Sequence, residues 1–183
     1  NGPSTILETV DGNYARVEKN SGAETWAGVT IGSGAGFLND IPITNTDTKM
    51  FVNVYVSGTT QTGIPIKLKI ENSMDPTQSV ETDTYTSVSG EWETMEFDFS
   101  NESEGTAALN TDFVFDMASI FFNFGSSGNQ NIVYYFDNVS FESPLNVDDN
   151  FFTSYKIYPN PFIDLINLFG IEGDETIIIN DIL

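Results

Sequence analysis

The chain of 183 residues carries 27 acidic against 6 basic side chains, a formal net charge of -21, with no Cys and no His. So strong a negative balance repels phosphate backbones and anionic lipid surfaces, which sets aside nucleic acid and membranes as partners. Without Cys there is no disulfide framework, thiolate metal site or thiol nucleophile, and without His the commonest general base and transition-metal ligand are missing. With 39% apolar and 13% aromatic residues the chain has the means to close one sizeable core. No apolar run approaches the length of a membrane span. It begins at Asn1 without Met, as expected of a mature or excised piece.

A period of two, not the 3.6 of a helix, runs along the chain. The first expected strands are residues 6–10, 14–19 and 24–31. Residues 49–57 then alternate Met50, Val52, Val54 and Val56 against Phe51, Asn53 and Tyr55. Residues 64–72 set Ile64, Ile66, Leu68 and Ile70 against Lys67, Lys69 and Glu71. Residues 78–86, 91–100, 118–125 and 132–142 repeat the habit, and clusters such as Asn72-Ser73-Met74-Asp75-Pro76 mark turns between runs. About nine strands suffice for two sheets, so the expected fold is all-β, an antiparallel β-sandwich of jelly-roll type, over residues 1–142. Residues 143–153, with a proline and charges, read as a linker to a short hairpin-like tail at 154–183.

In that tail Tyr158-Pro159-Asn160-Pro161 is a turn, because two prolines around an Asn enter neither a helix nor a central strand. Its flanks read as short strands, with residues 165–169 and 176–180 following. This YPNP turn in its strand context resembles the C-terminal sorting domain of type IX secretion substrates. The resemblance implies export to the outer cell surface or beyond, through contact with that secretion machinery. Family members run on through more strands, so the sorting domain here is expected to be truncated.

The body carries motifs of its own: Thr25-Trp26-Ala27-Gly28, the run at 65–81, Glu91-Trp92-Glu93-Thr94-Met95 with its continuation to Phe99, and Tyr134-Tyr135-Phe136-Asp137-Asn138-Val139. Together they resemble non-catalytic carbohydrate-binding modules of the galactose-binding-like jelly-roll type. Such modules are appended to secreted polysaccharide hydrolases, laminarinases among them. The resemblance implies an extracellular polysaccharide-binding module, with a β-1,3-glucan of the laminarin type favoured and a catalytic domain expected upstream.

A saccharide site needs aromatic planes for the C–H faces of sugars beside polar groups for their hydroxyls. Trp26, between the polar stretch 20–25 and a Gly-rich loop at 32–37, is expected at a rim where loops gather. Lys67, Lys69, Glu71, Glu81, Asp83 and Tyr85 share outward parity on two neighbouring runs. Of these Lys67, Glu71, Glu81 and Tyr85 join Trp26 as candidate ligand contacts, the plainer alternative being solvated cross-strand ion pairs. Tyr55 and Trp92 also face outward by parity, either toward ligand or beneath a covering layer.

Calcium is the metal that so acidic a chain permits, and secreted proteins meet it at high concentration. In the modules that the body resembles, a structural Ca2+ commonly ties the first strand to the last, and Glu8, Asp11 and Asp137 match those positions. Asp137 shares parity with Val139 and Phe141, so it is expected to point inward, where a carboxylate needs a cation or several donors. Two other classes stay open. Paired carboxylates such as Glu71 and Glu81 would serve a glycoside hydrolase, and a surface adhesin repeat would need no ligand site.

Overall fold

The computed structural model describes residues 14–32, 34–128 and 132–141 with their side chains, and the strands Thr5–Val10, Lys156–Tyr158 and Asn167–Phe169 as backbone. Alternation becomes strand in order: β1 (Thr5–Val10), β2 (Tyr14–Lys19), β3 (Val29–Ile31), β4 (Lys49–Ser57), β5 (Pro65–Asn72), β6 (Asp75–Tyr85), β7 (Trp92–Asp98), β8 (Met117–Phe122) and β9 (Val133–Ser140). No helix occurs among the described residues. One antiparallel sheet runs β1-β2-β9-β4-β7 and the other β3-β8-β5-β6. From β6 on, successive strands alternate between the sheets, which is how a jelly-roll sandwich is wound.

The two inner faces share one core. Val52, Val54 and Val56 of β4 and Phe97 of β7 meet Ile66, Leu68 and Ile70 of β5 and Ile120 of β8, all essentially inaccessible to water. Each buried aliphatic or phenyl side chain stabilises the fold by about 1.5–3 kcal/mol relative to leaving it exposed. A second link is polar: the buried Thr82 hydroxyl of β6 donates to the carbonyls of Asp98 (3.0 Å) and Asn101 (2.9 Å), at the end of β7 in the other sheet. Asn53, Tyr55, Trp92, Thr94 and Glu96 stand on the outer face, as alternation requires.

Three details depart from the sequence expectation. The expected strand at 24–31 shortens to Val29–Ile31, because Glu24 accepts from the Ala27 amide in a turn. That turn seats Gly28 against β8, where a Cβ would run into the Phe121 ring and come 2.8 Å from the Ile120 carbonyl oxygen. The β5–β6 reversal is tighter than the Asn-Asp-Pro cluster suggests. The Asn72 side-chain oxygen accepts from the amides of Met74 (2.9 Å) and Asp75 (3.2 Å), so β6 starts at Asp75. Pro76 is tolerated there because β6 is an edge strand.

The third departure moves a candidate ligand. Tyr134 and Phe136 are the buried residues of β9, so Asp137 points outward beside Tyr135. Asn138 then adopts a left-handed φ of 48°, and the register against β4 shifts between Phe51 and Asn53. This bulge resets the alternation, returning Val139 to the core. Parity counted backward from Val139 therefore assigns Asp137 to the wrong face, and the inward carboxylate expected from the sequence is not there.

The chain divides into two units, residues 1–144 and 145–183. In the second, β10 (Lys156–Tyr158) pairs antiparallel with β11 (Asn167–Phe169), Ile157 opposite Leu168. Pro159 to Pro161 and the expected strand at 176–180 lie outside the described residues.

Candidate ligand-binding face

Register and pleat together build an aromatic patch on the outer face of the first sheet. Arg16 lies opposite Tyr135, Tyr135 opposite Tyr55, and Tyr55 opposite Trp92, so one line crosses β2, β9, β4 and β7. Tyr14, two positions from Arg16 on the same face, leans toward the middle of that line. The ring centroids form a closed circuit: Tyr14 to Tyr135 5.6 Å, Tyr135 to Tyr55 5.7 Å, Tyr55 to Trp92 5.6 Å and Trp92 to Tyr14 5.9 Å. Three of the contacts, tilted by 61° to 80°, have the edge-on geometry that aromatic quadrupoles prefer, and Tyr55 and Trp92 are tilted by 49°. With Ser57 they line an open depression of about 260 Å³.

The chemistry of this patch is mixed in a specific way. Trp92 is 47% exposed and the three tyrosines are half-buried. Among the described residues none of the three phenol hydroxyls, nor the Trp92 N–H, has a hydrogen-bond partner, and none is sealed from solvent. Each hydroxyl is both donor and acceptor, so apolar ring surface is rimmed by unspent polar groups. The next row along the strands is polar: Asp137 opposite Asn53 and Asn53 opposite Thr94, whose hydroxyl donates to the Asn53 side-chain oxygen at 2.8 Å. Arg16 pairs with Glu18 on one flank. Farther along, Lys49 donates to Glu96 at 2.6 Å, a bond that holds the ammonium above its ordinary pKa.

The residues singled out from the sequence fall elsewhere. Lys67, Glu71, Glu81 and Tyr85 lie on the outer face of the second sheet. Lys67 bonds Glu81 at 3.0 Å, approaches Asp83 at 3.5 Å and sits 4.4 Å over the Phe124 ring, while Lys69 bonds Glu71 at 2.6 Å. Lys67 and Glu71 are buried, so these are not the solvated pairs expected. Both carboxylates offered for hydrolysis, Glu71 and Glu81, already accept from an ammonium. Tyr85, 61% exposed, stands on the edge strand β6, and Trp26, 62% exposed, on the turn before β3.

For the expected calcium set, Glu8 occupies the register position opposite Arg16, and Asp11 lies outside the described residues. Among the described residues no three carboxylates gather closely enough to hold a cation, and Asp137 faces the aromatic side. Tyr14 and Tyr135 are the members of the patch that sequence reading did not pick out. In Tyr134-Tyr135-Phe136 three successive aromatics hide the alternation, and Tyr14 joins the patch only through the fold.

No family model matches this chain, and no curated protein does. One solved structure that it resembles is a point mutant of CBM29-2, studied for ligand recognition by family 29 carbohydrate binding modules. The match covers 74% of each chain at 15% identity, with a TM-score of 0.46. Likeness of that degree transfers no function.

Proposed function

We propose that this chain is a non-catalytic carbohydrate-binding module that holds a neutral polysaccharide on the outer face of its first sheet. The observation that carries this reading is the circuit of Tyr14, Tyr135, Tyr55 and Trp92 with its unspent hydroxyls. Stacking on a sugar removes apolar surface of both partners from water, while the phenols and Ser57 replace water at the sugar hydroxyls. A formal charge of -21 disfavours anionic glycans. A β-1,3-glucan of the laminarin type, and export directed by the tail, rest on sequence resemblance alone.

The test is retardation of the purified chain in native gels containing laminarin or other neutral polysaccharides, scored beside the release of reducing ends. Binding without hydrolysis is expected. Trp92→Ala should weaken it at least tenfold, about 1.4 kcal/mol, with the fold intact, since the side chain lies outside the core. Undiminished binding by Trp92→Ala combined with its loss in Trp26→Ala would move the site to the turn before β3. No retention on any glycan of a broad array would favour the adhesin class.

A further inference from the structure

We infer that this face reads a short run of two or three sugar residues, and not an extended run of the polysaccharide; the inference rests on the proposal that the face binds saccharide. A platform for a long glycan needs successive rings spread along a line with their faces toward solvent. The register supplies such a line in Tyr135, Tyr55 and Trp92, at the roughly 4.8 Å strand spacing. Tyr14 alters its use. Its ring packs on both Tyr135 and Trp92, the two ends of the line, and folds the strip into a closed group.

Size follows from the circuit. With sides of 5.6 to 5.9 Å, no two of the four ring centres lie more than about 11 Å apart, a span of three consecutive pyranose residues at most. Neighbouring rings tilted by 49° to 80° present no coplanar faces on which consecutive sugars of a ribbon would stack. The depression of about 260 Å³ is smaller than the roughly 300–1,000 Å³ of pockets that enclose drug-sized ligands. Among the described residues no fifth ring joins the circuit. Its surroundings are the Arg16–Glu18 pair and the Asp137, Asn53 and Thr94 row, which offer hydrogen bonds but no further stacking surface.

The experiment is calorimetric titration of the whole chain with a length series, from methyl glycoside to hexasaccharide, cut from the neutral polysaccharide that it retains. Expressed per sugar residue, affinity is expected to level off by the trisaccharide. Tightening by more than threefold between trisaccharide and hexasaccharide overturns the size inference. If that tightening disappears with Trp92→Ala, the face still binds glycan and only its length was misjudged. If neither the polysaccharides nor the series binds, or Trp92→Ala binds like the parent, the reading of the face falls and the inference with it.

Discussion

Lys19, at the end of β2 in the first sheet, donates its ammonium to the main-chain carbonyl of Phe122, at the end of β8 in the second, 3.3 Å away. The same ammonium reaches the carbonyls of Asn123 (3.1 Å) and Thr25 (2.9 Å), and the residue is only 2% exposed. Lys19 follows the inward parity of Ala15 and Val17, so its stem lies among core residues while its charge closes that end of the sandwich. Burial pushes its pKa below the ordinary lysine value.

Lys19→Met keeps the stem but leaves three carbonyls without their donor. Destabilisation of about 2 kcal/mol is expected, read as a lower urea midpoint with an unchanged slope. An unshifted midpoint would mean that the cost of burying the charge cancels its hydrogen bonds.

Asn138 carries the bulge that returns Val139 to the core after Asp137 has faced outward. At φ 48° a β-branched side chain is strained, whereas glycine is not. Asn138→Val should therefore lower stability by about 1–2 kcal/mol, and Asn138→Gly should change it by less than about 0.5 kcal/mol, in denaturant titration. Equal losses for both would show that the Asn side chain, and not the backbone conformation, holds the bulge.

Tyr134 tests the core through pH. Burial, against the opposing hydrogen bond with Asn123, pushes its hydroxyl from 10.0 up to about 12. Between those values the unfolded chain loses this proton while the folded chain keeps it. Stability contributed by Tyr134 is thus fully present below pH 10.0 and is lost as pH rises through about 12. Lys19, with its lowered pKa, acts in the opposite sense over the alkaline range, so Tyr134→Phe is the proper reference. The stability of the parent relative to Tyr134→Phe should fall between pH 10 and 12. A constant difference would show that the hydroxyl titrates as it does in water.

Asp116 offers an acid-side counterpart. Its carboxylate accepts from the Ser73 hydroxyl (2.7 Å) and amide (2.6 Å), which hold its pKa below the usual carboxylate range. This contribution is present above the unfolded value of 3.8 and is lost as pH falls through the lower folded value. Asp116→Asn should cost about 1 kcal/mol at neutral pH, and the deficit should shrink in strong acid when the two proteins are melted side by side.

Much of the sandwich was legible because alternation is a local property. Met50 to Val56 and Ile64 to Ile70 have a core face whatever their neighbours are, since burying the apolar set of a strand leaves one orientation. The same alternation turned Tyr55 and Trp92 outward. It failed at Asn138, where one inserted residue reverses the count, and at residues 24–28, where a turn that fits beneath Phe121 outweighs strand propensity.

By itself, then, the sequence determined the class of the fold, the facing of its regular strands and the absence of thiol and imidazole chemistry. Which outward residues become a site was decided only in three dimensions. Lys67 and Glu81 stand close enough along one hairpin to be read as neighbours, and they spend their charges on each other. Tyr14, Tyr55, Trp92 and Tyr135 come from four separate strands, and only long-range pairing sets their register. Alternation says which way a side chain points but not what stands beside it, because lateral neighbours in a sheet are chosen by pairing and packing of the whole chain.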